Sequence, residues 1–225
     1  MEATARNLLD MEVKPQGYYS GLRKDMLPYV PRSTRRLLEV GCAEGAFSSQ
    51  LKGDRGLEAW GVEMNSTAAQ VAASRLDKVV HGRAEDVLDQ IPDSYFDCIV
   101  CNDVLEHIYD PYSLLLALKG KLAADGVLVA SIPNIRYYKV LGELLFKRQW
   151  RYADSGVLDK THVRFFTRES LREMFQELGF RIVTLDGVRP TRKVKIRLLS
   201  WLTLGYLSDI QSCEFACVVQ AAGTS

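Results

Sequence analysis

The chain has 225 residues, of which 47% are hydrophobic and 25% are charged, and its formal net charge is +1. These values are typical of one globular domain with a sizeable core, and they exclude a strong electrostatic bias toward DNA. The sequence contains no run of 18 apolar residues, and its first residues lack the basic-then-apolar pattern of a signal peptide. We therefore do not expect an integral membrane protein.

The five cysteines are an odd number and lie in apolar segments. Cys98 and Cys101 form a CxxC pattern inside an apparent strand, where residues three apart point to opposite faces. This favours buried thiols over a redox or metal-binding pair and predicts a cytoplasmic location.

Residues 1–15 read as a lead-in, and residues 18–31 have a helix-like spacing that prolines end. Residues 37–40 then form an apolar run that predicts a buried strand. Glycines break this run, and residues 46–51 look like the start of a helix. A strand, a tight turn and a helix in this order are typical of the nucleotide-binding edge of a doubly wound α/β sheet.

Glu39 and Glu44 flank this turn, and both would repel a pyrophosphate. They suit a ligand with a positive group and a free amino end. Residues 39–45, EVGCAEG, resemble motif I of the class I S-adenosylmethionine-dependent methyltransferases, with an alanine in place of the middle glycine. The resemblance extends over roughly residues 18–180. It implies that S-adenosylmethionine binds here, against Glu39, Gly41, Cys42, Ala43 and Gly45.

The same resemblance gives the N-terminal segment a role. In related methyltransferases a segment like residues 18–31 lies over the cofactor, with a tyrosine and an arginine facing it. Tyr19 and Arg23 match these positions, and Arg23 would pair with the cofactor's carboxylate. The alternative is a surface arginine on a capping helix.

Residues 57–62 predict the second strand, and Glu63 follows it, 22 residues after Gly41. An acidic residue at this spacing and at the carboxyl end of a strand can accept hydrogen bonds from both ribose hydroxyls. Met64 is then placed to pack on the adenine, although a plain core methionine has the same sequence signature.

A short third strand is predicted over residues 78–81, followed by the segment GRAEDV at 82–87. This segment resembles the family's adenine-contacting loop and implies contacts from Ala84 and from an acid. Glu85 and Asp86 both fit that role. Both also fit the bland role of acids at a helix start, where they favour the helix dipole.

Residues 95–101 predict the fourth strand, and NDVLEH follows at 102–107. By resemblance, the Asn102 backbone would hold the cofactor's amino group, with Asp103 beside it and His107 near the methyl group. Asp103 and His107 would share one face of a helix, which is a metal-chelating geometry. A metal-free structural hinge is the favoured interpretation, so a divalent ion is not expected.

The remaining pattern alternates helices and strands. It predicts an α/β, Rossmann-like, seven-stranded and mostly parallel sheet flanked by helices, in one domain over residues 1–225 with a cap at 1–34. The predicted later elements are a helix at 68–76 capped by Asn65 or Ser66, a helix at 111–122, a strand at 127–132, a helix at 168–178 capped by Thr167, a strand at 181–185 and an antiparallel last strand at 212–221.

Two insertions are expected on the acceptor side, at 134–166 and 188–211. The first contains several aromatic residues and is rich in bases, which suits a ring-bearing and possibly anionic acceptor. A solvated amphipathic helix is the equal alternative. The second is basic and then apolar, typical of a helix that packs on the core, covers the acceptor pocket, forms a homodimer face or touches a membrane.

Residues 159–167, DKTHVRFFT, resemble a stretch that recurs in bacterial methyltransferases encoded with polysaccharide and natural-product pathways. His162 is the candidate general base because imidazole titrates near neutral pH. Asp159 is expected to orient it, with His107 in reserve.

These patterns predict an S-adenosylmethionine-dependent methyltransferase that releases S-adenosylhomocysteine. The expected acceptor is a hydroxyl of a sugar, a glycan precursor or a small natural product. Alternatives are N- or C-methylation and a non-catalytic S-adenosylmethionine-binding module. A nicotinamide oxidoreductase and an RNA methyltransferase fit the residues less well.

Overall fold

A computed structural model describes residues 21–221. Its seven strands form one sheet in the order β3-β2-β1-β4-β5-β7-β6. Strands β1 to β5 pair in parallel, and β7 lies antiparallel between β5 and β6, as predicted. The strands are β1 Arg36–Val40, β2 Glu58–Glu63, β3 Lys78–His81, β4 Phe96–Asn102, β5 Leu122–Pro133, β6 Phe180–Pro190 and β7 Ser212–Ala221.

Helices cover both faces of the sheet, and each face has its own apolar core. Cys101 belongs to one of these cores and Cys98 to the other, so the two thiols do point to opposite faces. Burial raises the pKa of both thiols. The helices are α1 Ala46–Arg55, α2 Ser66–Ala73, α3 Ala84–Val87, α4 Pro111–Lys121, α5 Tyr138–Lys147, α6 Arg168–Glu177 and α7 Val194–Leu202.

Local capping explains where two of these helices begin. Asn65, rather than Ser66, caps α2, because its side chain accepts a hydrogen bond from the Ala68 amide. Thr167 and Ser170 form a reciprocal capping box at the start of α6. The predicted Thr167 cap is therefore confirmed.

Two strands are longer than the sequence indicated. β5 begins at Leu122, and a bulge between the Phe96–Leu122 and Cys98–Val127 pairs accommodates the predicted turn, with Asp125 at φ 64°. β6 continues to Pro190 because β7 pairs with it along its whole length. The second insertion therefore begins after Pro190 rather than at residue 188.

Both insertions leave the carboxyl-terminal edge of the sheet. The first contains α5 and a loop that returns to the sheet through a bridge between Asn134 and Phe166. The second contains α7 and a short 3₁₀ helix, Ser208–Gln211. Among residues 21–221, no helix has the length and apolar character needed to cross a bilayer. Tyr19 and most of the predicted cap lie outside the described residues.

The turn after β1 rests on a glycine in the neighbouring strand. The Cys42 side chain is 3% exposed and lies against Gly61 of β2. A Cβ at Gly61 would come 2.5 Å from the Cys42 sulfur and 3.0 Å from Leu76. The close approach of turn and strand therefore requires glycine at this position.

We expect Gly61→Ala to lower the free energy of unfolding by about 1–3 kcal/mol, because it overpacks this contact. Adding Cys42→Ala should recover part of the loss. Gly53→Ala is the matched control: it lies on the exposed side of α1 with no atom near its Cβ, and should gain about 0.5–1 kcal/mol. Urea unfolding measures all four proteins, and equal effects at the two glycines would contradict this account.

Strand β1 also buries a carboxyl group. Glu39 is 3% exposed, and its Oε2 accepts a hydrogen bond from the Ser48 hydroxyl at 2.6 Å. Burial raises the pKa of Glu39 to about 7, although the hydrogen bond from Ser48 opposes the shift. In the folded protein this carboxyl therefore keeps its proton to a higher pH than in the unfolded chain.

Because Glu39 binds its proton more tightly in the folded state, stability should fall as pH rises from about 4.5 to 7. Glu39→Gln has no titrating group at this position. Its free energy of unfolding relative to that of wild type should therefore rise by about 3 kcal/mol between pH 5 and pH 8. Ser48→Ala should steepen the loss. Urea unfolding across pH measures both effects, and an unchanged pH slope in Glu39→Gln would refute them.

Candidate functional site

The predicted cofactor residues converge at the carboxyl ends of β1, β2 and β4. Strand order reverses between β1 and β4, which is where ligands bind in sheets of this kind. The turn after β1 has three residues with positive φ: Gly41 at 69°, Ala43 at 49° and Gly45 at 74°. Gly45 is also the N-cap of α1, so the turn directs the amide end of that helix toward the edge of the sheet.

Glu63 is fixed at the end of β2. Its two carboxylate oxygens accept hydrogen bonds from the Ala43 and Asn65 amides, each at 2.8 Å. The carboxylate is 5% exposed, and each oxygen retains a second lone pair. It is therefore oriented beside the glycine turn and can still accept a ribose hydroxyl.

Residues predicted near the adenine lie around the next strand end. Met64 is 53% exposed, which rules out a plain core methionine. Ala84 is buried, whereas Glu85 and Asp86 are exposed, and both pair with Arg83, at 3.0 and 3.8 Å. The choice between these two acids stays open. Cys42 is 3% exposed, its amide donates to the Val62 carbonyl at 3.1 Å, and its carbonyl accepts from the Gly45 amide at 2.7 Å, so its backbone holds the turn together.

Arg23 is held in a network of acids beside the end of β4. Its guanidinium donates to Asp103, to Glu214 at 2.8 Å and to Asp25 at 3.2 Å. Ser131 joins Asp103 to the network through its hydroxyl group. Glu214 lies 191 residues from Arg23 in the sequence, and no sequence signal indicated it.

Asp103 does not share a helix with His107. It has φ 53° and precedes a 3₁₀ helix of a single turn, Leu105–His107. Its carboxylate consequently turns toward Arg23, and the chelate considered for Asp103 and His107 does not form on one helical face. Asn102 ends β4, where its side chain lies near Glu39 and lowers the pKa of that carboxyl.

The first insertion brings His162 onto this 3₁₀ helix. The Val163 and Arg164 amides both donate to the Glu106 carbonyl, at 2.9 and 3.0 Å. The His107 and His162 rings then meet edge to face, with centroids 4.8 Å apart. Residues separated by 55 positions thus form one cluster at the edge of the sheet.

Hydrogen bonds define the tautomers of both histidines. The Nδ1 atom of His162 lies 3.1 Å from the Val157 carbonyl, and Nδ1 of His107 lies 3.1 Å from the Thr161 carbonyl. Carbonyl oxygens only accept, so Nδ1 carries the proton in each ring. In the neutral rings the lone pairs are therefore on Nε2.

Asp159 is buried one turn before His162. It accepts hydrogen bonds from the Thr161 amide at 2.8 Å and from the Thr161 hydroxyl at 2.7 Å. The same hydroxyl lies 3.2 Å from Nδ1 of His107. Asp159 therefore reaches His107 through Thr161, a link that its sequence position did not reveal.

Glu106 completes the cluster and was absent from the predicted site. It is 1% exposed, and within residues 21–221 no other residue donates a hydrogen bond to either carboxylate oxygen. Its Oε1 lies 3.9 Å from Nε2 of His162. Burial raises its pKa to about 8. The available sequence signal was an acidic residue directly before His107.

Glu106, His107 and His162 each offer one ligand atom, and these atoms lie within 4.8 Å of one another. Such a set of one carboxylate and two imidazoles suits a divalent ion as well as proton transfer. An aromatic group adjoins the cluster: Phe165 lies 6.5 Å from the His162 ring and 5.3 Å from Trp150, between ring centroids.

Comparisons with known proteins identify the family and its relatives. A family model described as a methyltransferase domain matches residues 12–185. A ubiquinone biosynthesis O-methyltransferase of Aeromonas salmonicida (strain A449) is 29% identical over 204 residues, which cover 83% of this chain and 82% of that protein.

Solved structures show the same fold. An S-adenosylmethionine-dependent methyltransferase from Archaeoglobus fulgidus superposes with a TM-score of 0.68 at 19% identity, covering 96% of this chain and 99% of that one. A possible histamine N-methyltransferase from Thermotoga maritima gives 0.60 at 21% identity, covering 88% and 86%. With a family model that spans most of its length and a cofactor edge built as described, the chain belongs to the class I S-adenosylmethionine-dependent methyltransferases.

Proposed function

We propose that this methyltransferase transfers a methyl group from S-adenosylmethionine to a hydroxyl of a small molecule, with His162 as the general base. The observation that carries the proposal is the His162–His107–Glu106 cluster at the carboxyl end of β4, beside the cofactor edge. A hydroxyl is a weak nucleophile, so a base at this position accelerates its methylation.

The methionine end of the cofactor would bind against Arg23 and Asp103, which are hydrogen-bonded to each other. Three carboxylates and two guanidiniums form the network around Arg23, so acids exceed bases by one. A further carboxylate alone would be repelled there. A zwitterion would not, because its carboxylate can pair with Arg23 while its ammonium pairs with Asp103. Glu63 would hold the ribose beside the glycine turn, which its carboxylate already contacts through the Ala43 amide.

Bound S-adenosylmethionine supplies a methyl group already activated on a sulfonium. The chain orients the acceptor and removes its proton. Nε2 of His162 takes the hydroxyl proton, while the Val157 carbonyl holds the opposite side of the ring and stabilises the imidazolium. Burial raises the pKa of Glu106 to about 8, so near pH 7 this carboxyl is mostly neutral and exerts little charge attraction on a proton at His162.

The acceptor class follows from the cluster's surroundings and from the relatives. Trp150, Tyr152 and Phe165 form an aromatic group beside His162, and such rings stack on sugars or on aromatic acceptors. The Aeromonas relative is named for O-methylation in ubiquinone biosynthesis, which favours oxygen over nitrogen or carbon. A screen of phenols, sugars and nucleotide-sugars with detection of the methylated product decides between the two classes.

We expect His162→Ala to lower kcat by about 10²–10⁴-fold and to remove the acid limb of the pH–rate profile, with S-adenosylmethionine affinity unchanged. His107→Ala is the matched comparison, since it removes the neighbouring imidazole and should lower kcat by a smaller factor. Turnover with the acceptor found in the screen, followed from pH 5 to 9, measures both. Full turnover by His162→Ala across this range would overturn the base assignment.

The same assay is run with a chelator because the cluster also suits a divalent ion. Activity that is lost on chelation and restored by added Mg²⁺ would make His162 a metal ligand instead of the base. Activity that withstands chelation supports the base.

We expect Arg23→Gln to weaken S-adenosylmethionine binding by about 10- to 150-fold, because it removes a hydrogen-bonded ion pair. Asp103→Asn should weaken S-adenosylmethionine binding by a similar factor, because it removes the carboxylate that would pair with the cofactor's ammonium group. The matched control is 5′-methylthioadenosine, which lacks the amino acid and should bind both variants like wild type. Isothermal titration measures all these affinities, and equal losses for both ligands would mean that the variants damage the fold rather than the methionine contacts.

A further inference from the structure

Helix α7 and the turn after it are exposed on nearly all sides. Of the nine residues of α7, only Ser200 is buried. Trp201 and Leu202 are 73% and 63% exposed, and the turn adds Leu204 at 98% and Tyr206 at 79%. An apolar helix that contacts so little of its own domain requires an explanation.

The exposed area is large for a monomer. Trp201 and Tyr206, with about 150–250 Å² of surface each, leave roughly 300 Å² in water by themselves. Leu198, Leu202 and Leu204 add to this exposed apolar surface, and the largest apolar patch of a typical monomer is only about 300–600 Å². Leu204 also has φ 51°, so the chain tolerates an unfavourable conformation where this side chain projects into solvent.

Charged and apolar residues occupy different parts of this segment. Residues 187–208 contain no Asp or Glu but five bases, all at or before Arg197, and the exposed leucines and aromatics come after it. A cavity of about 490 Å³ lies where the two halves meet, lined by Arg197, Ser200, Trp201, Leu204, Gly205 and Gln211. Basic and apolar groups are therefore separated along the helix.

We infer that α7 and its turn, residues 192–206, dock on an anionic phospholipid surface. Trp201, Leu204 and Tyr206 would enter the interface, while Lys195 and Arg197 would meet the acidic headgroups. This is a peripheral attachment.

A second copy of the chain fits the surface less well. Two α7 helices packed in parallel would oppose their basic halves. Packed antiparallel, they would bury the arginine and lysine head groups of one copy against the leucines of the other. An anionic bilayer avoids both conflicts because its headgroups and its hydrocarbon lie at different depths.

Both ends of α7 are connected to the side of the domain where we propose that the acceptor binds. The 3₁₀ helix after α7 is tied to the end of β5, because Asn134 donates to the Asp209 carbonyl at 2.8 Å and Arg136 pairs with Asp209 at 2.7 Å. At the other end of α7, Lys193 lies over the Tyr138 ring of the first insertion. The inference does not depend on which acceptor or which base the enzyme uses.

Co-sedimentation of the full chain with vesicles tests the inference. Wild type should bind vesicles of equal parts phosphatidylglycerol and phosphatidylcholine, and should bind pure phosphatidylcholine at least tenfold more weakly. Each of Lys195→Gln and Arg197→Gln should weaken binding about five-fold. Trp201→Ser combined with Leu204→Ser should weaken it at least tenfold.

The matched control is Leu116→Ser, which removes a leucine that is 51% exposed on α4 and should bind like wild type. Circular dichroism establishes that each variant is folded. The inference fails if wild type stays in the supernatant with anionic vesicles, or if Leu116→Ser loses as much binding as the α7 variants. It also fails if sedimentation velocity shows a dimer that the Leu204→Ser change dissolves, because the surface then belongs to a second copy.

Discussion

Two hydrogen bonds to one carbonyl oxygen join the halves of the site. The Val163 and Arg164 amides both donate to the backbone of Glu106, so a loop from the first insertion is fixed on the 3₁₀ turn after β4. In the proposed function, the sheet provides the cofactor edge and this loop provides the acceptor side. Together with the contact between His162 and the Val157 carbonyl, these bonds fix the His162 ring against His107.

The buried carboxyl groups of Glu39 and Glu106 lower the stability of the fold. Burial raises both pKa values, to about 7 and about 8, because a charged carboxylate is poorly solvated in the interior. A core built for stability alone would use apolar residues at these positions. Glu39 lies beside the glycine turn, and Glu106 lies beside the two histidines. Carboxyl groups with raised pKa values are often found at functional sites of this kind.

The two insertions have different roles in our proposals. The first carries the aromatic group and His162 to the proposed acceptor side. The second leaves the edge of the sheet at Pro190 and presents α7 to its surroundings. Contacts of Asn134 and Arg136 with Asp209, and of Tyr138 with Lys193, join the two insertions to each other.

The sequence by itself determined the sheet, its order of elements and the family. These depend on local signals: apolar runs of strand length, glycines at a turn, and an acid at fixed spacing after it. Residues 39–45 were predicted as a strand end, a tight turn and a helix start, and the structure has this order, since these residues are contiguous and their geometry is set by the backbone. Strand ends were less predictable, because the lengths of β5 and β6 depend on the partner strand.

Only the tertiary structure decided which distant side chains meet. The pairing of His162 with His107 and Glu106, and of Arg23 with Asp103 and Glu214, joins residues from 55 to 191 positions apart. No periodicity carries such information, because these contacts arise from how loops of different length fold back over one edge of the sheet. The exposure of α7 was likewise undecided by its sequence, since an apolar helix has the same composition whether its own core or another surface covers it.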